Sequence, residues 1–319
     1  MRVSRIEWLR TACLKWARYE ASEFPKRLGD IAVLVCAQEN ACRYCYGVAK
    51  SQLKLFGYSQ KMINQIEEGM HLAELDEKER AFIQFCRNLA RSSPRPPKKD
   101  RDRLIALGFS EKAVAEMAFY IANQCFINRV ATFISCLPMH NLEQVAGNLF
   151  GKLFRPILAR RIRSKAWKDI EPLPNNVTTF PGIIQTLEGL PAASVINNGL
   201  TGVFKKGKLS EELKVLMFAV IAKSLDCDFC TFESKTMANN LGINENEFEN
   251  SLSTLSCGRL NHQESQIFLW TRETVHFETG DIQMKMQKLS SEIEGEKLLE
   301  AIGVASLANS IVRLAVLLG

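Results

Sequence analysis

A chain of 319 residues is long for one domain and fits two of roughly 150 each, either large enough to bury its own core. Its 46% hydrophobic and 24% charged residues exclude extended disorder, and its longest wholly apolar run, Val215 to Ala222, is far short of the ~20 residues that cross a bilayer, so no membrane span is expected. The excess of positive charge, +6 in all, gathers in residues 94–101 and 160–165; neither run has aromatic interleaving or a nucleic-acid motif, so both read as solvated faces and nucleic acid is not an expected partner.

Met1 to Trp8 lacks the continuous apolar core of an export signal, and ten cysteines are too few for a disulfide scaffold. The expectation is a cytoplasmic protein in which Cys13, Cys36, Cys86, Cys125, Cys136 and Cys257 serve as small core residues. No cofactor is expected, since the chain has no Gly-rich phosphate loop and no His-Glu-x-x-His helix.

In chain order, Ile6, Leu9, Cys13 and Trp16 stand at helical spacing and predict a helix packed on the fold. Leu28 to Gln38 is apolar enough to be a buried helix, and Asn40 reads as the N-cap of a helix opening at Cys42. Gly57 should stop that helix. Further helices are expected from Gln60 to Gly69 and from Asp76 to Arg91, the second with acids in its first turn and Arg87 and Arg91 near its end. Ser92 to Lys99 is a proline-rich loop, and Ser110 opens a long helix reaching about Ser135. Asn141 to Lys168 is a basic amphipathic connector whose Leu149, Phe150, Leu153, Phe154, Ile157 and Leu158 form a helical stripe, read as core.

The stretch Asn40-Ala41-Cys42-Arg43-Tyr44-Cys45 recurs as Leu225-Asp226-Cys227-Asp228-Phe229-Cys230, an offset of 185. The same offset carries Lys50 onto Lys235, Gly57 onto Gly242, Glu79 onto Glu264 and Arg87 onto Arg272. With one deletion it becomes 184 and carries Glu116 onto Glu300 and Arg129 onto Arg313. The prediction is an all-α chain of two tandem helical repeats, residues 1–137 and 176–319, joined by a basic helical linker, 138–175.

Cysteines at i and i+3 share a helix face, so Cys42 with Cys45, and Cys227 with Cys230, can exchange a disulfide or bind a metal. A thiol in the first turn of a helix is stabilised as thiolate by unpaired N–H groups and the dipole. Arg43 favours the first thiolate and Asp226 and Asp228 oppose the second, which ranks the first pair as the more reactive. Lys50 and Lys235 read as solvated, and His71, His140, His262 and His276 all lie more than ten residues from either pair.

These residues resemble the carboxymuconolactone decarboxylase and alkylhydroperoxidase D-like superfamily, duplicated in one chain. The likeness rests on the apolar helix leading into Cys42-Arg43-Tyr44-Cys45, on Phe56-Gly57-Tyr58-Ser59, on Leu75 to Ala81, on Leu107-Gly108-Phe109-Ser110 and on Asn128-Arg129. It implies that Cys45 and Cys230 are attacked by peroxide while Cys42 and Cys227 resolve, and that an acid twelve before the first cysteine and a histidine four after the second relay protons. Asp30 stands at the acid position of the first repeat and Val215 at that of the second; the histidine positions hold Ala49 and Ser234. By this resemblance the protein is a peroxidase or disulfide oxidoreductase that takes hydroperoxides or partner disulfides, is recycled by a thiol reductant protein and assembles as a homo-oligomer. A non-redox enzyme acting on a small organic substrate on the same scaffold, and a silent structural or metal-binding protein, stay open beside it.

Overall fold

The computed structural model describes residues 6–68, 75–92, 96, 98–167, 169–177, 179–205 and 207–318; Gly69, His71 and positions 93, 94, 95 and 97 of the proline-rich loop lie outside them. Helix α1 (Glu7–Lys15) leads through a 3-10 turn, Trp16–Arg18, to α2 (Lys26–Glu39), α3 (Arg43–Phe56), α4 (Gln60–Glu68), α5 (Glu77–Arg91), α6 (Lys98–Ala106) and α7 (Glu111–Phe133). The connector forms α8 (His140–Gly147), α9 (Leu149–Leu153) and α10 (Arg155–Arg163). Then come α11 (Pro181–Gln185), α12 (Pro191–Phe204), α13 (Glu211–Ser224), α14 (Asp228–Asn240), α15 (Glu245–Thr254), α16 (His262–Glu273), α17 (Thr279–Glu292) and α18 (Gly295–Leu318). The chain is all-α: 75% of the described residues are helical and none of them forms a strand.

The helix boundaries are set by side chains that satisfy orphan backbone groups. Asp76 accepts the Glu79 N–H at 2.7 Å while the Glu79 carboxylate accepts the Asp76 N–H, and Asn261 and Glu264 form the same reciprocal cap on α16. Ser110 and Ser210 cap α7 and α13 through Ala113 and Leu213. Gly57 ends α3 at φ 97°, a left-handed conformation that glycine adopts without steric cost.

Lys15–Asp169 forms one compact unit, and Met1–Leu14 with Ile170–Gly319 forms the other. These limits differ from the sequence division at 137 and 175. In the second unit the Trp8 side chain of α1 lies against Gly202 and Gly303, where an added Cβ would stand 2.6 Å from the indole side chain, so two glycines make the seat that holds α1 there. In the first unit α8 and α10 both pack on α3, which makes the connector part of the unit that carries Cys42 and Cys45.

Within their own units α2–α7 and α13–α18 follow one order, and α2 packs on α3, α5 and α7 as α13 packs on α14, α16 and α18. Helices α7 and α18 are the cores. An 18-residue window of α18 has mean hydropathy 1.9, enough by length and composition to cross a membrane, but 94% of it is buried inside the fold. Each core helix also buries one glutamate that gathers the N–H groups of an incoming loop. Glu116 accepts from Ser22 and Glu23 and from the Tyr19 hydroxyl, while Glu300 accepts from Lys208 and Leu209. Glu300 also pairs at 2.7 Å with the fully buried Lys214 ammonium, which donates to the Val203 carbonyl.

A buried charge is tolerated only while its partner stays, so Lys214→Ala, which strands the Glu300 carboxylate, is expected to cost about 3–5 kcal/mol in urea unfolding. The midpoint should fall with little change in slope.

Candidate active site

The cysteines owe their placement to how α2 ends. Ala41 turns left-handed at φ 48°, which brings the Cys42 N–H onto the Ala37 carbonyl at 3.0 Å and closes the last turn of α2. Cys42 is then the N-cap of α3, and its Sγ accepts the Cys45 N–H at 3.2 Å. Asn40, expected to cap α3, instead ends α2. Its amide donates to the Cys36 carbonyl at 2.8 Å and accepts from the buried Arg129 guanidinium at 2.6 Å, tying the turn to α7. The second unit repeats the turn: Asp226 is left-handed at φ 50°, and the Cys227 N–H bonds the Ala222 carbonyl at 2.9 Å.

Cys42 and Cys45 are joined as a disulfide, with Cα atoms 5.3 Å apart and both side chains buried. Ala37 of α2 and Ala131 of α7 complete a small apolar cluster with them, and Tyr44, Tyr46 and Cys136 pack on it. By sequence Cys136 reads as one more core cysteine, with nothing to tie it to the pair. The left-handed Ser135 (φ 55°) brings the Cys136 N–H back onto the Ala131 carbonyl at 2.9 Å, and so folds the thiol onto the cluster, where burial pushes its pKa up. Only the tertiary fold sets that proximity.

The second pair is a dithiol. Cys230 is fully buried, and its hydrogen bond to Cys227 and then burial hold its pKa well above the ordinary thiol range, with the Glu233 carboxylate adding to the effect. Burial also raises Glu233. The Cys227 sulfur accepts no helix N–H, in contrast to Cys42. Phe229, the counterpart of Tyr44, lies over Gly182 at the start of α11.

The remaining positions singled out by sequence divide. Asp30 bonds to Arg163 at 2.9 Å and accepts from the Tyr58 hydroxyl at 3.2 Å; burial raises its pKa and Arg163 opposes the shift. Arg163 stacks on Phe56, the last residue of α3, and the two ends of a 14-residue helix are about 20 Å apart. Asp30 therefore sits toward the opposite end of α3 from the disulfide, where its short carboxylate pairs with a cation from α10 rather than lying beside the cysteines. At the histidine positions Ala49 and Ser234 are fully buried, leaving no surface site for a larger ring. Lys50 is half-buried rather than solvated: it bonds the Tyr46 hydroxyl at 3.2 Å and pairs with Glu67 at 2.9 Å. Lys235 makes an exposed pair with Glu245.

Among the described residues no group of three or more His, Cys, Asp or Glu side chains is arranged to hold a metal ion. Compared with protein-family models, with curated proteins and with solved structures, the chain matches none.

Because the folded chain holds Cys230 protonated above its ordinary value of 9.0, that contribution to stability is complete below this pH and is lost as pH rises through the folded value. Unfolding free energy should therefore fall on the alkaline side, and Cys230→Ala should flatten the decline in denaturant titrations across that range.

Proposed function

We propose that the protein is a thiol-based oxidoreductase working at Cys42 and Cys45. The observation that carries this reading is the pair itself: two cysteines at the N-cap and third position of a helix, already within disulfide bonding, with a helix N–H directed at the Cys42 sulfur. The resemblance to alkylhydroperoxidase D-like proteins, with a duplicated helical repeat, supports it through the common helix order and the common left-handed turn before each first cysteine.

In the forward step the Cys45 thiolate attacks the terminal oxygen of a hydroperoxide. The O–O bond breaks, the alkoxide leaves as alcohol after taking a proton, and Cys45 becomes a sulfenic acid. The Cys42 thiolate then attacks the Cys45 sulfur, expelling hydroxide as water and forming the disulfide. A partner disulfide enters the same cycle through a mixed disulfide. By the resemblance, a dithiol reductant protein attacks the Cys42 sulfur and releases the Cys45 thiolate; its second thiol then resolves the mixed disulfide and releases the Cys42 thiolate, which Arg43 favours as leaving group. Two electrons from the reductant restore both thiols.

Proton supply in this reading falls to Tyr46, which packs on the disulfide cluster and whose hydroxyl is bonded to Glu67 and Lys50. General acid assistance is typically worth ~10²- to 10⁴-fold, so Tyr46→Phe should slow sulfenate formation at the low end of that range. The second pair, buried and held protonated beside Glu233, contributes little turnover.

The test is stopped-flow consumption of hydrogen peroxide, and separately of a small aromatic disulfide, by the prereduced full chain. Cys45→Ser should abolish both reactions, Cys42→Ser should trap the sulfenic acid or mixed disulfide at Cys45, and Cys230→Ser should leave most of the activity. Turnover that survives Cys45→Ser would make this a non-redox enzyme or a structural protein on the same fold.

A further inference from the structure

We propose that the outer face of α9 and α10 docks on an anionic lipid-bilayer surface. The stripe expected to be core divides in the structure. Phe154 and Leu158 are half-buried, while Leu149, Leu153 and Ile157 are 82%, 74% and 64% exposed; the Phe150 side chain lies outside the described set. Leu149 and Leu153 stand about one turn apart on α9, and Ile157 follows on α10 beyond the turn at Phe154, so exposed apolar side chains run from one helix onto the next. Leu137 and Met139, also exposed, belong to the same connector.

What covers such a stripe is indicated by its charge. Between positions 149 and 167 the chain has six cations, Lys152, Arg155, Arg160, Arg161, Arg163 and Lys165, and no carboxylate. Arg163 is committed to Asp30 and Phe56. Lys152, Arg160, Arg161 and Lys165 are exposed and make no ion pair among the described residues. An apolar stripe flanked by unneutralised cations is the pattern of a helix lying in the plane of an anionic membrane interface, side chains in the acyl boundary and cations at the headgroups. A second copy meeting this face about a two-fold axis would bring the same cations opposite each other without counter-charge. Nucleic acid would satisfy the cations and leave the leucines in water.

The test is flotation of the full-length protein with extruded vesicles of phosphatidylcholine, with and without phosphatidylserine, at low and high salt. Binding is expected only with phosphatidylserine and should weaken with salt. It should fall at least about tenfold in the triple variant Leu149→Ser, Leu153→Ser, Ile157→Ser and, independently, in Arg160→Glu with Arg161→Glu. All five positions are exposed, and unchanged helicity and unfolding midpoint check that the variants remain folded. No binding to phosphatidylserine vesicles, or binding that both variants leave intact, would overturn the proposal. A triple variant that instead dissolves a dimer, seen by sedimentation, would assign the face to a second copy. Peroxide turnover without lipid should be unchanged in both variants, so this result and that for Cys45→Ser fail separately.

Discussion

The bond from the Cys42 N–H to the Ala37 carbonyl is the contact on which the site depends. It closes α2 through a left-handed residue that is not glycine, a conformation that costs a non-glycine residue of order 1 kcal/mol and persists where its surroundings over-determine it. The surroundings here are specific: Asn40 is held between the Cys36 carbonyl and the Arg129 guanidinium, so the turn is pinned to the core helix behind it. From that one constraint follow the N-cap position of Cys42, the N–H directed at its sulfur, and a Cα separation that lets Cys45 close the disulfide without moving the backbone.

The second unit reaches the same turn with different residues. Leu225 stands where Asn40 does and has no amide to offer, and the buried Arg313 is instead satisfied by Asn309 on its own helix at 2.6 Å and by the Val275 carbonyl at 3.0 Å. A similar exchange occurs deeper in the core. Gly29 of α2 leaves room for Tyr120 of α7, whereas the corresponding Lys214 of α13 fills its space with an ammonium that Glu300 neutralises. In both places a buried polar group is kept only with its partner, as the desolvation penalty requires, though the partner comes from a different element.

The same physics sets what could be read in advance. Caps and stops depend on neighbours within four residues, so Ser110, Asp76 with Glu79, and Gly57 mark their helix ends in the sequence as they do in the structure. Asn40 was misplaced because a residue suited to an N-cap is equally suited to ending the preceding helix, and only the guanidinium of Arg129, 89 residues away, decides between the two. Periodicity showed that the connector has an apolar face without showing what covers it, and the face proved to be divided between α3 and solvent. Trp8 belongs to the later unit because of glycines near residues 202 and 303, a contact that no local pattern encodes. Asp30 was found by counting, and counting takes no account of a competing arginine from α10.

The two Cys-x-x-Cys pairs show how little of the chemistry lies in the motif. Both begin at a left-handed residue and an N-cap cysteine, so backbone geometry gives them nearly the same start. Their surroundings then pull apart. The first is followed by Arg43 and lies among alanines and tyrosines, one of them wired to Lys50 and Glu67, with an N–H on its sulfur. The second is flanked by Asp226 and Asp228 and followed by Glu233, and its Cys230 is sealed from water, so forming a thiolate there would add a buried anion beside a carboxylate. Nucleophilic attack on a disulfide or peroxide needs that thiolate, and its supply falls tenfold for each unit by which a thiol's pKa rises above the ambient pH. In the proposed oxidoreductase it is therefore the environment, rather than the spacing, that favours Cys42 and Cys45 for turnover over Cys227 and Cys230, which are packed in a core.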